Sequence, residues 1–109
     1  MYLTIWEFHT KPGLNRSFEE AYGQNGIWDK LYKKDKEYLG TELLKCSEMN
    51  GHYVTIDRWT SEEAYRNFKE RMRNEIKSIE ERCSELSDHE APLGGFMSPE
   101  FPSGYRIAS

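Results

Sequence analysis

The sequence predicts a single α+β domain in which helices cover one face of a four-stranded antiparallel sheet. Three observations predict it. Two segments of strand composition flank an Asn-Gly pair, two stretches carry apolar residues at helical spacing, and an aromatic, β-branched segment opens the chain. A chain of 109 residues makes one core, because a second would be too small to hold itself together.

Residues 2–10, Tyr-Leu-Thr-Ile-Trp-Glu-Phe-His-Thr, contain no breaker before Pro12-Gly13 and read as the first strand. Leu14, Phe18, Ala21 and Tyr22 then recur at intervals of three and four, and Trp28, Leu31 and Tyr32 resume the pattern after Gly23 and Gly26. A helix interrupted near residues 23–26 is expected, begun either by a Ser17–Glu20 capping box or by Asn15.

Residues 38–47 and 52–59 are strands, joined by Glu48-Met49-Asn50-Gly51, whose Asn-Gly pair favours the positive φ of a tight hairpin. Thr60 and Glu63 have the spacing of a second capping box. Ala64, Tyr65, Phe68, Met72, Ile76, Ile79, Cys83 and Leu86 keep helical spacing without a Gly or Pro between residues 61 and 86, either as one helix or as two bent near residues 70–74. Residues 91–98 form a short last strand, which Pro92 confines to an edge or strand end. The domain thus spans residues 1–98. Residues 99–109 are a C-terminal tail in which Phe101, Tyr105 and Ile107 favour packing and Pro99, Pro102 and Gly104 oppose regular structure.

The element order is the split βαβ, ferredoxin-like arrangement, with both helical regions on one sheet face. The opposite face is also apolar, since Leu3 and Ile5 oppose Tyr2, Trp6 and Phe8, and Val54 and Ile56 oppose Tyr53 and Trp59. An apolar face of that extent marks an interface, and a second copy of the chain is its expected cover.

Fifteen Lys and Arg against nineteen Asp and Glu leave a net charge of -4, which gives no electrostatic reason to bind nucleic acid or an anionic membrane. Lys30, Lys33, Lys34 and Lys36 cluster at a helix end, where cations complement exposed carbonyls. No segment has the length and apolarity of a membrane span, and no secretory signal opens the chain, so a cytoplasmic location is expected. Cys46 and Cys83 are too few for a disulfide framework, and Cys83 falls on the apolar helix stripe as a small hydrophobe.

Tyr38-Leu39-Gly40-Thr41-Glu42-Leu43-Leu44, the run from Tyr53 to Trp59 with the following Thr-Ser-Glu-Glu-Ala-Tyr, and Leu93-Gly94-Gly95-Phe96 together resemble the antibiotic biosynthesis monooxygenase-like family. The resemblance covers about residues 2–97. It implies a dimeric α+β barrel, with a small-molecule cavity between the sheet and the helices of each protomer. Members include cofactor-free oxygenases, haem-degrading oxygenases and quinol oxygenases. The haem-degrading branch uses a histidine on the second helical region and an asparagine in the first strand; residues 61–88 contain no His and residues 2–10 no Asn. Haem chemistry of that type is therefore not expected.

Cofactor-free oxygenation requires a base, donors for a developing oxyanion, and a chamber that excludes water. His9 and His52, at strand ends, are candidate bases because imidazole titrates near neutrality. Arg58 is a candidate oxyanion donor, or else half of an intersubunit ion pair with a residue such as Glu42. Trp6, Trp28, Trp59, Tyr65 and Phe68 supply flat apolar walls for a small aromatic ligand, or else fill the core. No cofactor is expected. No metal site is expected either, since His9, His52 and His89 are scattered without His-x-x-x-His spacing, and Gly94-Gly95 lacks the context of a phosphate loop. Two functions follow: a cofactor-independent monooxygenase acting on a small aromatic or quinol-like substrate, or a non-catalytic small-molecule-binding or structural homodimer. A ligand-sized cavity reaching His9 or Arg58 favours the first.

Overall fold

A computed structural model describes residues 1–99. The elements run β1 (Tyr2–Thr10), α1 (Asn15–Tyr22), α2 (Ile27–Tyr32), β2 (Tyr38–Lys45), β3 (His52–Trp59), α3 (Glu62–Arg71), α4 (Arg73–Cys83) and β4 (Ser87–Met97). The sheet order is β2-β3-β1-β4 with every pairing antiparallel, so the ferredoxin-like topology is present. The expected tail lies, from residue 100 onward, outside the described residues, and with it Phe101, Tyr105 and Ile107.

The two central strands alternate cleanly. Tyr2, Thr4 and Phe8 of β1 and Tyr53, Thr55, Asp57 and Trp59 of β3 are buried, while their neighbours on the opposite face are half-buried. The buried set meets Phe18, Tyr22, Leu31, Phe68, Ile76, Ile79 and Cys83 from the helices. Trp59, Phe18 and Phe68 have 0% exposure, and their tilted and edge-on ring contacts knit sheet to helix. Cys83 is the buried hydrophobe its place on the stripe predicts.

Several local expectations change. The first helix has neither a Ser17 nor an Asn15 side-chain cap: Leu14 occupies the N-cap position. The Asn15 amide instead accepts from the Thr10 hydroxyl at 2.5 Å and donates to Asn50 at 2.8 Å, tying the end of β1 to the β2–β3 turn. At α3 the cap is Ser61, whose Oγ accepts from the Ala64 N–H at 3.1 Å; Thr60, one residue earlier, donates to Glu37. The second helical region is two helices, broken at Met72 (φ -105°, ψ 23°). The last strand begins at Ser87, not residue 91, because Ser87, His89 and Glu90 pair with Thr10, His9 and Phe8 despite their polar composition. It is an edge strand, as Pro92 requires, and it bulges there: Gly94 adopts φ +129° where the register shifts. In the hairpin turn, Gly51 supplies the positive φ (+81°).

Candidate active site

A cavity of about 90 Å³ lies between the helix-facing side of the sheet and the helices. Trp6, Trp28, Tyr32 and Tyr65 form its aromatic walls, and Thr4, Thr41, Thr55 and Asp57 its polar floor. Lys69, Glu80 and Glu90 also border it. Period-two alternation explains the floor: Thr4, Thr55 and Asp57 share the sheet face that carries the core aromatics, yet each has a polar side chain.

Asp57 dominates the electrostatics. Burial raises its pKa to about 6, the nearby Asp29 charge pushes the same way, and the Thr41 and Thr4 hydroxyls oppose them. Thr41 Oγ1 lies 2.5 Å from Asp57 Oδ1, and Thr4 Oγ1 lies 3.4 Å from Oδ2. Thr41 also contacts the Tyr38 hydroxyl, which donates to Asp29 Oδ1 at 2.7 Å. Asp29 in turn accepts from the Asn25 N–H at 2.8 Å and faces Lys33 Nζ at 2.9 Å. Burial pushes Asp29 up, but Lys33, the Asn25 N–H and the Tyr38 hydroxyl outweigh it, and its pKa is lowered.

Two hydroxyls carry two hydrogens, whereas the links Asp57–Thr41, Thr41–Tyr38 and Tyr38–Asp29 need three. Thr41 donates to Asp57 Oδ1 and Tyr38 donates to Asp29 Oδ1, which uses both hydrogens and leaves Thr41 and Tyr38 in oxygen-to-oxygen contact. The row of groups thus connects the buried Asp57 carboxyl in the cavity to the half-exposed Lys33 at the surface.

Of the residues singled out from the sequence, Trp6, Trp28 and Tyr65 line the cavity. Trp59 and Phe68 stand behind it as core; both pack against the Tyr32 ring, which they hold in the wall. His9, His52 and Arg58 do not line it. They project from the other face of the sheet, because each is adjacent in sequence to a buried, helix-facing residue. Arg58 Nη1 meets Glu42 Oε1 at 3.1 Å, so this ion pair forms within one chain across β2 and β3. The histidines are not scattered: His52 and His89 flank His9 on the paired strands. Sequence reasoning missed Asp57, Asp29 and Thr41. The available signal was that Asp57 and Trp59 share a face, which makes Asp57 an acid in a core position.

No protein-family model matches the chain. No characterised protein sequence matches it either. Solved structures do. SnoaB, a cofactor-independent oxygenase from Streptomyces nogalater, superposes with a TM-score of 0.73 at 16% identity, covering 94% of this chain and 96% of that one. MhuD, solved with two manganese protoporphyrin IX per active site, gives 0.70 at 15% identity over 95% and 100% of the two chains. Rv0793 from Mycobacterium tuberculosis gives 0.66 at 13% identity over 94% and 98%. The chain therefore shares the fold of these structures, and at these identities the likeness extends to fold alone.

Proposed function

We propose that this protein is a cofactor-independent monooxygenase acting on a single-ring aromatic or quinol-like molecule held in the cavity, with Asp57 as the base. The observation that carries this reading is a buried carboxyl, its pKa raised to about 6, at the floor of an aromatic chamber. A base in that range takes a proton from a phenol or an activated CH at neutral pH. The electron-rich anion then reacts with dioxygen, one oxygen atom entering the product as a carbonyl and the other leaving as water. The Tyr32 and Tyr65 hydroxyls and Thr55 are the donors available to a developing oxyanion. In this reading the base role falls to Asp57 rather than to His9 or His52. The SnoaB likeness supports the reaction class.

The volume of about 90 Å³ narrows the substrate, because pockets for larger ligands measure about 300 Å³ or more. It also favours the second reading, a non-catalytic binding or structural homodimer. One experiment separates them: dioxygen uptake measured with a panel of single-ring hydroquinones, for the wild type and Asp57→Asn. Uptake above buffer that falls at least about 100-fold in the variant supports the oxygenase. Uptake no faster than buffer, or equal in both proteins, leaves the second reading in place.

We further propose that the outer sheet face packs on a second copy of the chain. Ile5, Val54 and Ile56 form its centre, and Leu44 and Phe96 are 43% and 48% exposed on the flanking strands. Among the described residues no helix is long and apolar enough to cross a membrane.

A further inference from the structure

At one end of the outer face, three adjacent strands bring four metal-ligating side chains together. Glu7 and His9 lie two residues apart on β1 and therefore on the same side. His52 of β3 and His89 of β4 are each opposite His9 in the register. The His9 and His52 rings stack at 4.6 Å, and His89 meets His9 edge-on at 5.3 Å between ring centroids. Glu7 bridges the outer pair: Oε2 is 3.2 Å from His52 Nε2 and Oε1 is 3.5 Å from His89 Nε2.

One donor atom from each of Glu7, His9 and His52 lies within 4.8 Å of the other two. We propose that Glu7, His9 and His52, completed by His89, bind one Zn²⁺ ion. Donors 2.0–2.1 Å from a tetrahedral zinc stand roughly 3.3 Å from one another, a spacing the Glu7–His52 pair already has and the others reach by turning their side chains. Imidazole with carboxylate is a zinc donor set, whereas calcium and magnesium call for oxygen ligands throughout. The backbone beneath is three hydrogen-bonded strands, so the donors are mounted on rigid elements. Cys46, opposite His52 at the start of the β2–β3 turn, is a further thiol near the site.

All four donors belong to one chain, and they occupy the sheet face opposite the cavity. The proposal therefore stands or falls apart from the oxygenase reading. Its test is calorimetric titration of Zn²⁺ into tag-free, chelator-stripped protein, alongside Co²⁺ titration read by visible absorption. The expected result is one ion per chain, with cobalt bands of a low-coordinate nitrogen and oxygen site. Affinity is expected to fall at least about 10-fold in His9→Gln and in Glu7→Gln and to persist in Cys46→Ser. His52→Asn serves as a second ligand variant, and circular dichroism verifies that each variant is folded. Absence of saturable binding overturns the site, as does binding indifferent to the His9 and Glu7 substitutions or abolished only by Cys46→Ser.

Discussion

The two faces of the sheet are built from alternate residues of the same strands, yet they hold different chemistry. The helix-facing side joins large aromatics to one buried carboxyl, Asp57, reached through hydroxyls. The outer side joins a half-buried aliphatic centre to charged ends: Glu7 with three histidines at one, Arg58 with Glu42 at the other. Asp57 and Arg58 are neighbours in sequence and are separated by the thickness of the sheet. A strand thus insulates adjacent residues from each other, so a buried carboxyl and a cluster of histidines around a carboxylate coexist on opposite faces of the same strands.

The sharpest way to break this contrast is to cut the core. Trp59→Ala empties a fully buried position and is expected to cost about 3–5 kcal/mol in urea unfolding. The corresponding change on the outer face, Ile56→Glu, should leave unfolding of the dilute single chain within about 1 kcal/mol while abolishing association in light scattering at micromolar concentration. Equal losses from the two substitutions would show that the faces are not energetically separate.

Next in size is the pH dependence carried by Asp57. Its folded pKa of about 6 lies above the ordinary value near 3.8, so its stabilising contribution is complete below about pH 4 and is lost as pH rises through 6. Two units correspond to about 3 kcal/mol. Asp57→Asn, which cannot ionise, should therefore gain up to that amount relative to wild type between pH 4 and pH 8, measured as a widening gap in unfolding midpoint. A constant gap would place the carboxyl in a wetter setting than its burial implies.

A smaller effect, about 1 kcal/mol, is expected from Thr41→Val, which removes the hydroxyl between Asp57 and Tyr38 while preserving shape. Because Thr41 opposes the upward shift of Asp57, the variant's Asp57 should titrate higher still, which a pH series of unfolding midpoints detects. The smallest belongs to the surface. Arg66→Ala breaks the exposed i,i+4 pair with Glu62 and should leave the unfolding midpoint almost unchanged. A larger loss there would show that packing of the arginine stem, not charge, holds that side of α3.

Much of this architecture is legible in local patterns. Period-two and period-3.6 spacing place the strands and helices, and Asn50-Gly51 marks the hairpin. Caps are less legible, since Ser61 and Thr60 are chemically equivalent choices and only the path of the chain toward Glu37 separates them. The polar opening of β4 is not legible at all, because Ser87–Glu90 become strand only through pairing with β1. The aromatic walls are readable as types but not as positions: Trp28 and Trp59 have the same composition signal, and one lines the cavity while the other fills the core.

By itself, then, the sequence determined the elements, their order and the presence of two apolar sheet faces, because these follow from interactions between residues near one another in the chain. Tertiary structure alone decided that Asp57 is a buried carboxyl with a raised pKa at the floor of a cavity, and that His9, His52 and His89 meet around Glu7. Both depend on register between strands distant in sequence. A pKa is set by the dielectric and hydrogen bonds that distant segments supply, and a ligand cluster by distances that spacing along one strand does not encode.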